Sequence, residues 1–286
     1  MVSRYFVDRN AKYLVLLCAS TSFIILAAIA IFTLREGLPA FQQVGLFDFI
    51  FGTEWRPTLD KFGIAPMIVG SLAVTFGAMI LAIPLGVGCA VLLAEVAPAK
   101  VRRFLRPAVE LLVGIPSVVY GLVGILLVVP TIRQIAGTGY SVAAGALVLM
   151  AMVLPTVISI SEDSIRAVPR IYKEGSLALG ATHWQTIWHV MIPAARSGIV
   201  ASIILGIGRA IGEAMAMIMV IGNAVQIPTS PLDSTRTLAG GIAVEIAYAG
   251  GLHENALFAI GVVLFILIMI INSFALIAMR RGRERT

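Results

Sequence analysis

The chain has 286 residues, of which 59% are hydrophobic and only 13% charged, with a formal net charge of +6. Soluble domains carry about 25% charged residues, so this composition excludes a water-soluble globular protein and places the chain in a membrane. The positive balance does not point to nucleic acid: the basic residues gather in loops and at the ends, where they orient membrane spans and meet anionic lipid.

Residues 13–34 form the first apolar segment, long enough for the ~20 residues that a span requires. A cleaved signal peptide would show an apolar region of only ~7–15 residues and a small-residue cleavage site. Leu17 before Cys18 also spoils a lipoprotein-type site, so an uncleaved anchor is expected. Residues 35–63 read as an external loop, in which Phe47, Phe49, Phe51 and Trp55 suggest a segment at the membrane interface. The second span is expected over 64–93, with Pro84, Gly86 and Gly88 as bending points, and 95–107 reads as a short basic loop.

The third span, 108–129, contains Gly114-Ile115-Pro116-Ser117 and, further on, Tyr120. A Gly/Pro break in a membrane helix is tolerated where protein or a cavity satisfies the freed backbone groups. That leaves two readings for Gly114, Pro116, Ser117 and Tyr120: a packing kink, or the lining of a pathway. Glu110 reads as interfacial. Residues 130–140 read as an external turn, 141–160 as the fourth span, 161–196 as a polar loop and 197–222 as the fifth span. An external loop over 223–254, with a short helix near 238–247, leads to the sixth span, 255–279, and a basic tail, 280–286. The chain thus divides into an N-terminal unit, 1–63, a membrane core, 64–279, and the tail.

Basic residues orient this arrangement. Fifteen fall on one side (the N-terminus, 95–107, 161–196 and the tail) and five on the other, with Arg209 left inside the membrane. The positive-inside rule therefore puts both termini and the 161–196 loop in the cytoplasm of a multi-pass cell-membrane protein. Cys18 and Cys89 lie in apolar segments and read as free, packed thiols. No metal-ligand cluster is evident, and His183, His189 and His253 all fall in expected loops. There is no G-x-x-x-x-G-K-[S/T] and no G-x-S-x-G, so neither nucleotide hydrolysis nor a hydrolase elbow is written in this chain, and no cofactor of its own is expected.

The 161–196 loop carries helix, turn and helix signals. Pro169 suits a first helical position, where its missing N–H would be unpaired anyway. Gly180 suits the left-handed residue that ends a helix. Thr182 and Gln185 have capping-box spacing for a second helix, which Pro193 is expected to close. By local chemistry alone this is an amphipathic loop between two spans. Its wording says more: Glu174-Gly175-Ser176, three residues, Gly180, nine residues, then Val190-Met191-Ile192-Pro193. This resembles the E-A-A, three residues, G, nine residues, I-x-L-P signature of the permease subunits of ABC importers. Glu174, Gly180 and Pro193 match it, while Gly175 and Ser176 replace the two alanines. The resemblance implies an all-α type I permease (MetI-like) fold of six transmembrane helices. It also implies that Glu174, Gly175, Ser176, Gly180 and Pro193 belong to a coupling helix that docks on a separate ATPase.

Within the fifth span, Arg209 lies twelve residues beyond Ser197, roughly 18 Å along a helix and near mid-bilayer. Glu213 is expected four residues on, on the same face and one turn further out. Charges at this depth are costly and face a bundle interior or a watery cavity. One reading is a structural ion pair, favoured by the small-xxx-small spacing of Gly208 and Gly212. The other is an anion station, since guanidinium offers five donors in a planar fork suited to a tetrahedral oxyanion. Here the wording 208–216, together with 110–121 and 51–55, is similar to the PstC-type permeases of phosphate-specific ABC importers. That resemblance implies phosphate passage at Arg209 and Glu213, a PstA-type second permease, an ATP-binding subunit homodimer holding ATP and Mg²⁺, and an external phosphate-binding protein. An ABC permease for molybdate or sulfate, or an ion-coupled carrier or channel using Arg209 and Glu213 alone, are the alternatives.

Overall fold

In the computed structural model the backbone is described for residues 4–283, and side chains for 11–273 and Ile277. The side chains of Arg4 and Arg9 and the tail 280–286, on which the charge asymmetry partly draws, lie outside the described side chains. Five helical stretches are long and apolar enough to cross a bilayer: Ala11–Val44, Ala65–Val96, Ser117–Ala136, Val142–Arg166 and Leu252–Ser273. A sixth, His183–Ala194 followed by Arg196–Ile211, is bent by 67°. The all-α, six-span architecture expected from hydropathy is the one observed.

Its elements differ from expectation where tertiary contacts override local propensity. Helix α1 (Arg4–Val44) runs far past residue 34, through Pro39, into what hydropathy assigns to an external loop. The extension is held from outside: Asn255 Nδ2 donates to the Glu36 carbonyl at 2.7 Å, and Ala40 is fully buried. Residues 13–32 of α1, by contrast, are largely exposed and apolar, as at Leu16, Phe23 and Leu26, which suits hydrocarbon rather than water. A short helix, α2 (Leu46–Phe51), and a hairpin of β1 (Trp55–Arg56) and β2 (Lys61–Phe62) follow. The expected interfacial aromatics divide. Phe47 and Phe51 stack on each other in the open, with centroids 6.3 Å apart, while Phe49 and Trp55 are buried.

Helix α3 (Ala65–Val91) widens into a π turn at Leu92–Val96. The expected basic loop is instead an amphipathic helix, α4 (Ala99–Val113), whose side chains find partners at the ends of neighbouring spans. Arg102 Nε donates to the Leu93 carbonyl at 2.8 Å, and Arg106 Nη2 meets Asp163 at 3.0 Å. Glu110, exposed, pairs with Arg106. Gly114 to Pro116 therefore separates α4 from the third span rather than kinking it. That span is α5 (Ser117–Val123), a π turn at Gly124–Val128, and α6 (Val129–Ala136), which also absorbs most of the expected external turn. Helix α7 (Val142–Arg166) starts at Ser141, whose side chain accepts the Ala144 N–H.

Helices α8 (Arg170–Ala178) and α9 (His183–Thr186) make the expected helix–turn–helix, with Pro169 one place earlier than expected, at the N-cap. Pro193 does not close the second helix. It sits in the first turn of α10 (Ile192–Ile211), after a π turn at Ile187–Met191, at the 67° bend. A proline inside a helix removes one N–H and crowds the preceding turn, and a widened turn accommodates both. The chain ends with α11 (Met215–Val220), α12 (Leu238–Glu245) and α13 (Leu252–Arg283), so His253 lies in the first turn of a helix rather than in a loop.

The largest core forms where α3 and α7 pack along their length, with α10 and α11 against them. A second core, away from α8 and α9, joins α1, the hairpin, α12 and α13. Glu245, 8% exposed at its side chain, is the hub of that end. It accepts from Trp55 Nε1 at 2.9 Å, from His253 Nε2 at 2.8 Å and from Arg236 Nη1. Burial pushes its carboxyl upward, but these hydrogen bonds and the Arg236 charge outweigh burial and hold it below the usual carboxylate range.

Candidate functional site

The fifth span is not one continuous helix. It ends at Ile211, and Gly212, Glu213 and Ala214 interrupt it before α11. Arg209 and Glu213 therefore do not stand one turn apart on a common face, as helical spacing suggests. Each attends to its own half-helix. Arg209 lies in the last turn of α10, where a cation offsets the negative carbonyl end. Glu213 Oε1 accepts the Ala216 N–H at 3.0 Å, at the positive, N–H end of α11. Both side chains are half-buried, and among the described residues they form no ion pair with each other. Arg209 Nη1 instead donates to Thr156 Oγ1 on α7 at 3.1 Å.

Of the four candidate lining residues, two act as helix ends. Gly114 caps α4, and Pro116 precedes α5, which Ser117 begins. Tyr120 is different. Its hydroxyl donates to the Leu112 carbonyl at 2.9 Å, satisfying a group in the last turn of α4, and its ring stands within electrostatic reach of Arg209. Helix α5 comes close to the break because Gly121 lacks a side chain: a Cβ there would stand 2.6 Å from Met219 Sδ and 3.1 Å from Ala216 Cα. Tyr120, Thr156, Arg209 and Glu213 thus surround one interruption in the middle of the bundle. Sequence reasoning missed Thr156. The available signal was a hydroxyl beside Pro155 in an otherwise apolar run.

At one end of the bundle Glu174, Gly175, Ser176 and Gly180, expected to couple to an ATPase, belong to a compact helix–turn–helix, while Pro193 lies beyond it in α10. Helix α8 ends in a Schellman arrangement, with the Gly180 N–H donating to the Leu177 carbonyl at 3.0 Å and the Ala181 N–H to Ser176 at 3.2 Å. Gly180 has φ 86°, with nothing within 4 Å of where a Cβ would stand. The capping box is complete: the Gln185 N–H donates to Thr182 Oγ1 at 3.3 Å, and the Thr182 N–H to Gln185 Oε1 at 2.8 Å. Ser176 Oγ bonds Thr186 Oγ1 at 3.0 Å and ties α8 to α9, whereas Glu174 and Gly175 are exposed. Trp184 and Trp188 meet edge to face at 5.8 Å and are both more than half exposed, with Leu179, Ile171 and Tyr172 also open. Behind this face, Lys173 pairs with Glu95 at the end of α3, beside a cavity of about 480 Å³ that Glu174 also lines. Helix α8 is thus tied to α3 by the ion pair, and α9 runs on into α10 without a break in helix. Among the described residues no group of His, Cys, Asp and Glu could hold a metal ion.

Residues 82–283 match the model of the family described as the binding-protein-dependent transport system inner membrane component. The chain is 41% identical over 266 residues to a probable ABC transporter permease protein, YqgH, of Bacillus subtilis, covering 90% of this chain and 86% of that one. It is 33% identical over 284 residues to the phosphate transport system permease protein PstC of Pasteurella multocida, covering 92% and 88%. Among solved structures it resembles a chain of a bacterial alginate ABC transporter, with TM-score 0.67, 16% identity and 98% of each chain covered. It also resembles the MetNI methionine ABC transporter in an inward-facing conformation, with TM-score 0.63, 22% identity, and 80% and 99% covered. At these identities the structures speak for the fold, and the sequence relatives and the family model speak for descent. The chain belongs to the binding-protein-dependent transport system inner membrane component family.

Proposed function

We propose that this chain forms half of the transmembrane pore of an ATP-driven importer of inorganic phosphate. The observation that carries the substrate is its likeness, along about nine-tenths of its length, to proteins named as phosphate transport permeases. Arg209 gives that likeness a chemistry. Its fork is half-buried amid apolar helices and carries no carboxylate partner among the described residues, so an oxyanion would supply the missing countercharge. Glu213 has one oxygen committed to the Ala216 N–H and the other open to a protonated phosphate.

In this reading the partners are a PstA-type second permease, an ATP-binding subunit homodimer and an external phosphate-binding protein. ATP and Mg²⁺ belong to the ATPase subunits. In this reading α8, α9 and both termini are cytoplasmic and the Glu245 hub is outside, which the distribution of basic residues supports. The exposed tryptophans and leucine around Gly180 form the face that docks on the ATPase. When the ATPase pair closes, α8 moves with it, and the Lys173–Glu95 tie and α10 carry that movement to the helix break. Access to the helix break changes sides only insofar as the two states of the permease differ in affinity for the ATPase conformations. The test is uptake of radiolabelled phosphate by the complete complex in proteoliposomes. Uptake is expected to require ATP and the binding protein, and to persist in excess sulfate and molybdate. ATP-independent uptake would overturn the ABC reading, and abolition by sulfate or molybdate would move the substrate to another oxyanion.

A further inference from the structure

We infer that Thr156 is a second substrate-contacting side chain, donating its hydroxyl proton to an oxygen of the phosphate that Arg209 holds. This rests on the reading of Arg209 given above. Hydroxyl groups in apolar helices fold back onto the carbonyl one turn earlier, where their proton is satisfied. Among the described residues Thr21 does so on Leu17, Ser22 on Cys18, Thr131 on Leu127, Ser164 on Ile160 and Ser202 on Ile199. Thr156 does not. Its oxygen accepts from Arg209 Nη1 at 3.1 Å, and its own proton has no protein acceptor among the described residues.

A hydroxyl has one donor and two acceptor sites, so accepting from arginine leaves the Thr156 donor free beside a cation. Arg209 keeps its remaining N–H groups free of carboxylate, because Glu213 is turned to the start of α11. Donors from α7 and α10 thus stand side by side, and among the described residues neither meets a carboxylate. A tetrahedral oxyanion supplies several acceptor oxygens, and donors already positioned for it need no rearrangement on binding. Pro155, buried inside α7, directly precedes Thr156 and removes one backbone N–H from that turn.

The experiment compares Thr156→Val, which keeps the shape and removes the hydroxyl, with Thr156→Ser, which keeps the hydroxyl, and with Arg209→Gln. All are measured in the complete complex as phosphate uptake per assembled complex. Thr156→Val is expected to slow uptake about tenfold, the scale of one hydrogen bond to a charged group. Thr156→Ser is expected to retain at least about half of the original rate. Thr156→Val is further expected to add little to Arg209→Gln, because both act on the same anion. Uptake at the original rate in Thr156→Val, with Arg209→Gln inactive, would overturn the contact and leave the Arg209 reading standing. Equal slowing by Val and Ser would overturn it as well, since the hydroxyl would not be the cause. Full uptake in both Thr156→Val and Arg209→Gln would overturn the Arg209 reading and this inference with it.

Discussion

Two interruptions of helix can be set side by side. Between α8 and α9 the chain turns at Gly180, and between α10 and α11 it breaks at Gly212 to Ala214. The first is exposed, and small neutral groups complete it: a left-handed glycine, a threonine hydroxyl and a glutamine amide. The second lies among apolar helices, where unpaired backbone groups are far more costly. There two full charges face the helix ends, Arg209 at the carbonyl end of one and Glu213 at the N–H end of the other. The turn is built to hold one shape on a surface. The break holds a cation that meets no carboxylate among the described residues.

The comparison makes the turn a matter of shape, so its largest failure should come from backbone strain. Gly180→Arg forces a side chain onto φ 86°, where L-residues are disfavoured. Insertion and assembly of the spans should survive, while ATP-driven uptake falls by at least about tenfold. Uptake and membrane yield measured together check this, and normal uptake at normal yield would remove Gly180 from the coupling geometry. A smaller effect sharpens the contrast from the other end of the molecule, where charge again does the holding. At neutral pH Glu245→Gln should destabilise the hairpin and α12 by about 3 kcal/mol, because Arg236 loses its buried partner. The sign with pH follows from a carboxyl held below its ordinary value. Its contribution is complete above the usual carboxylate pKa of about 4.3 and is lost as pH falls through the depressed one. Thermal unfolding of the two proteins should therefore converge in acid, and a constant gap across pH would contradict the pairing. The smallest effect expected is that of Thr182→Ala, which removes one half of the capping box at a cost of about 1 kcal/mol. Hydrogen exchange should rise in α9 and leave α10 protected.

The two interruptions also differ in how far they could be read from the sequence. The turn was legible because its signals are local: Gly180, Thr182 and Gln185 act on backbone groups within a few residues. The six spans were legible for the same reason, since apolar runs declare themselves. The break was read as a continuous helix because Gly212 looks no different in sequence from Gly198, Gly206 and Gly208, which α10 tolerates, and the purpose of Glu213 shows only when the Ala216 N–H lies against it. The first half of α4 was read as a loop because two partners of Arg106, Asp163 and Glu162, are remote in sequence. The extension of α1 past residue 34 depends likewise on Asn255 and the packing of α13. The role of Thr156 needed the distance to Arg209, fifty-three residues away.

The central claim, that Arg209 meets phosphate rather than merely closing a helix end, is tested most directly by phosphate uptake of the complete complex carrying Arg209→Gln with Glu213→Gln. Neutralising both leaves neither charge stranded, so the helix ends retain polar caps and assembly should persist. The account predicts a well-assembled complex whose uptake is about 100-fold below the original, the scale of two charge-assisted hydrogen bonds. Uptake near the original rate in that complex would contradict it.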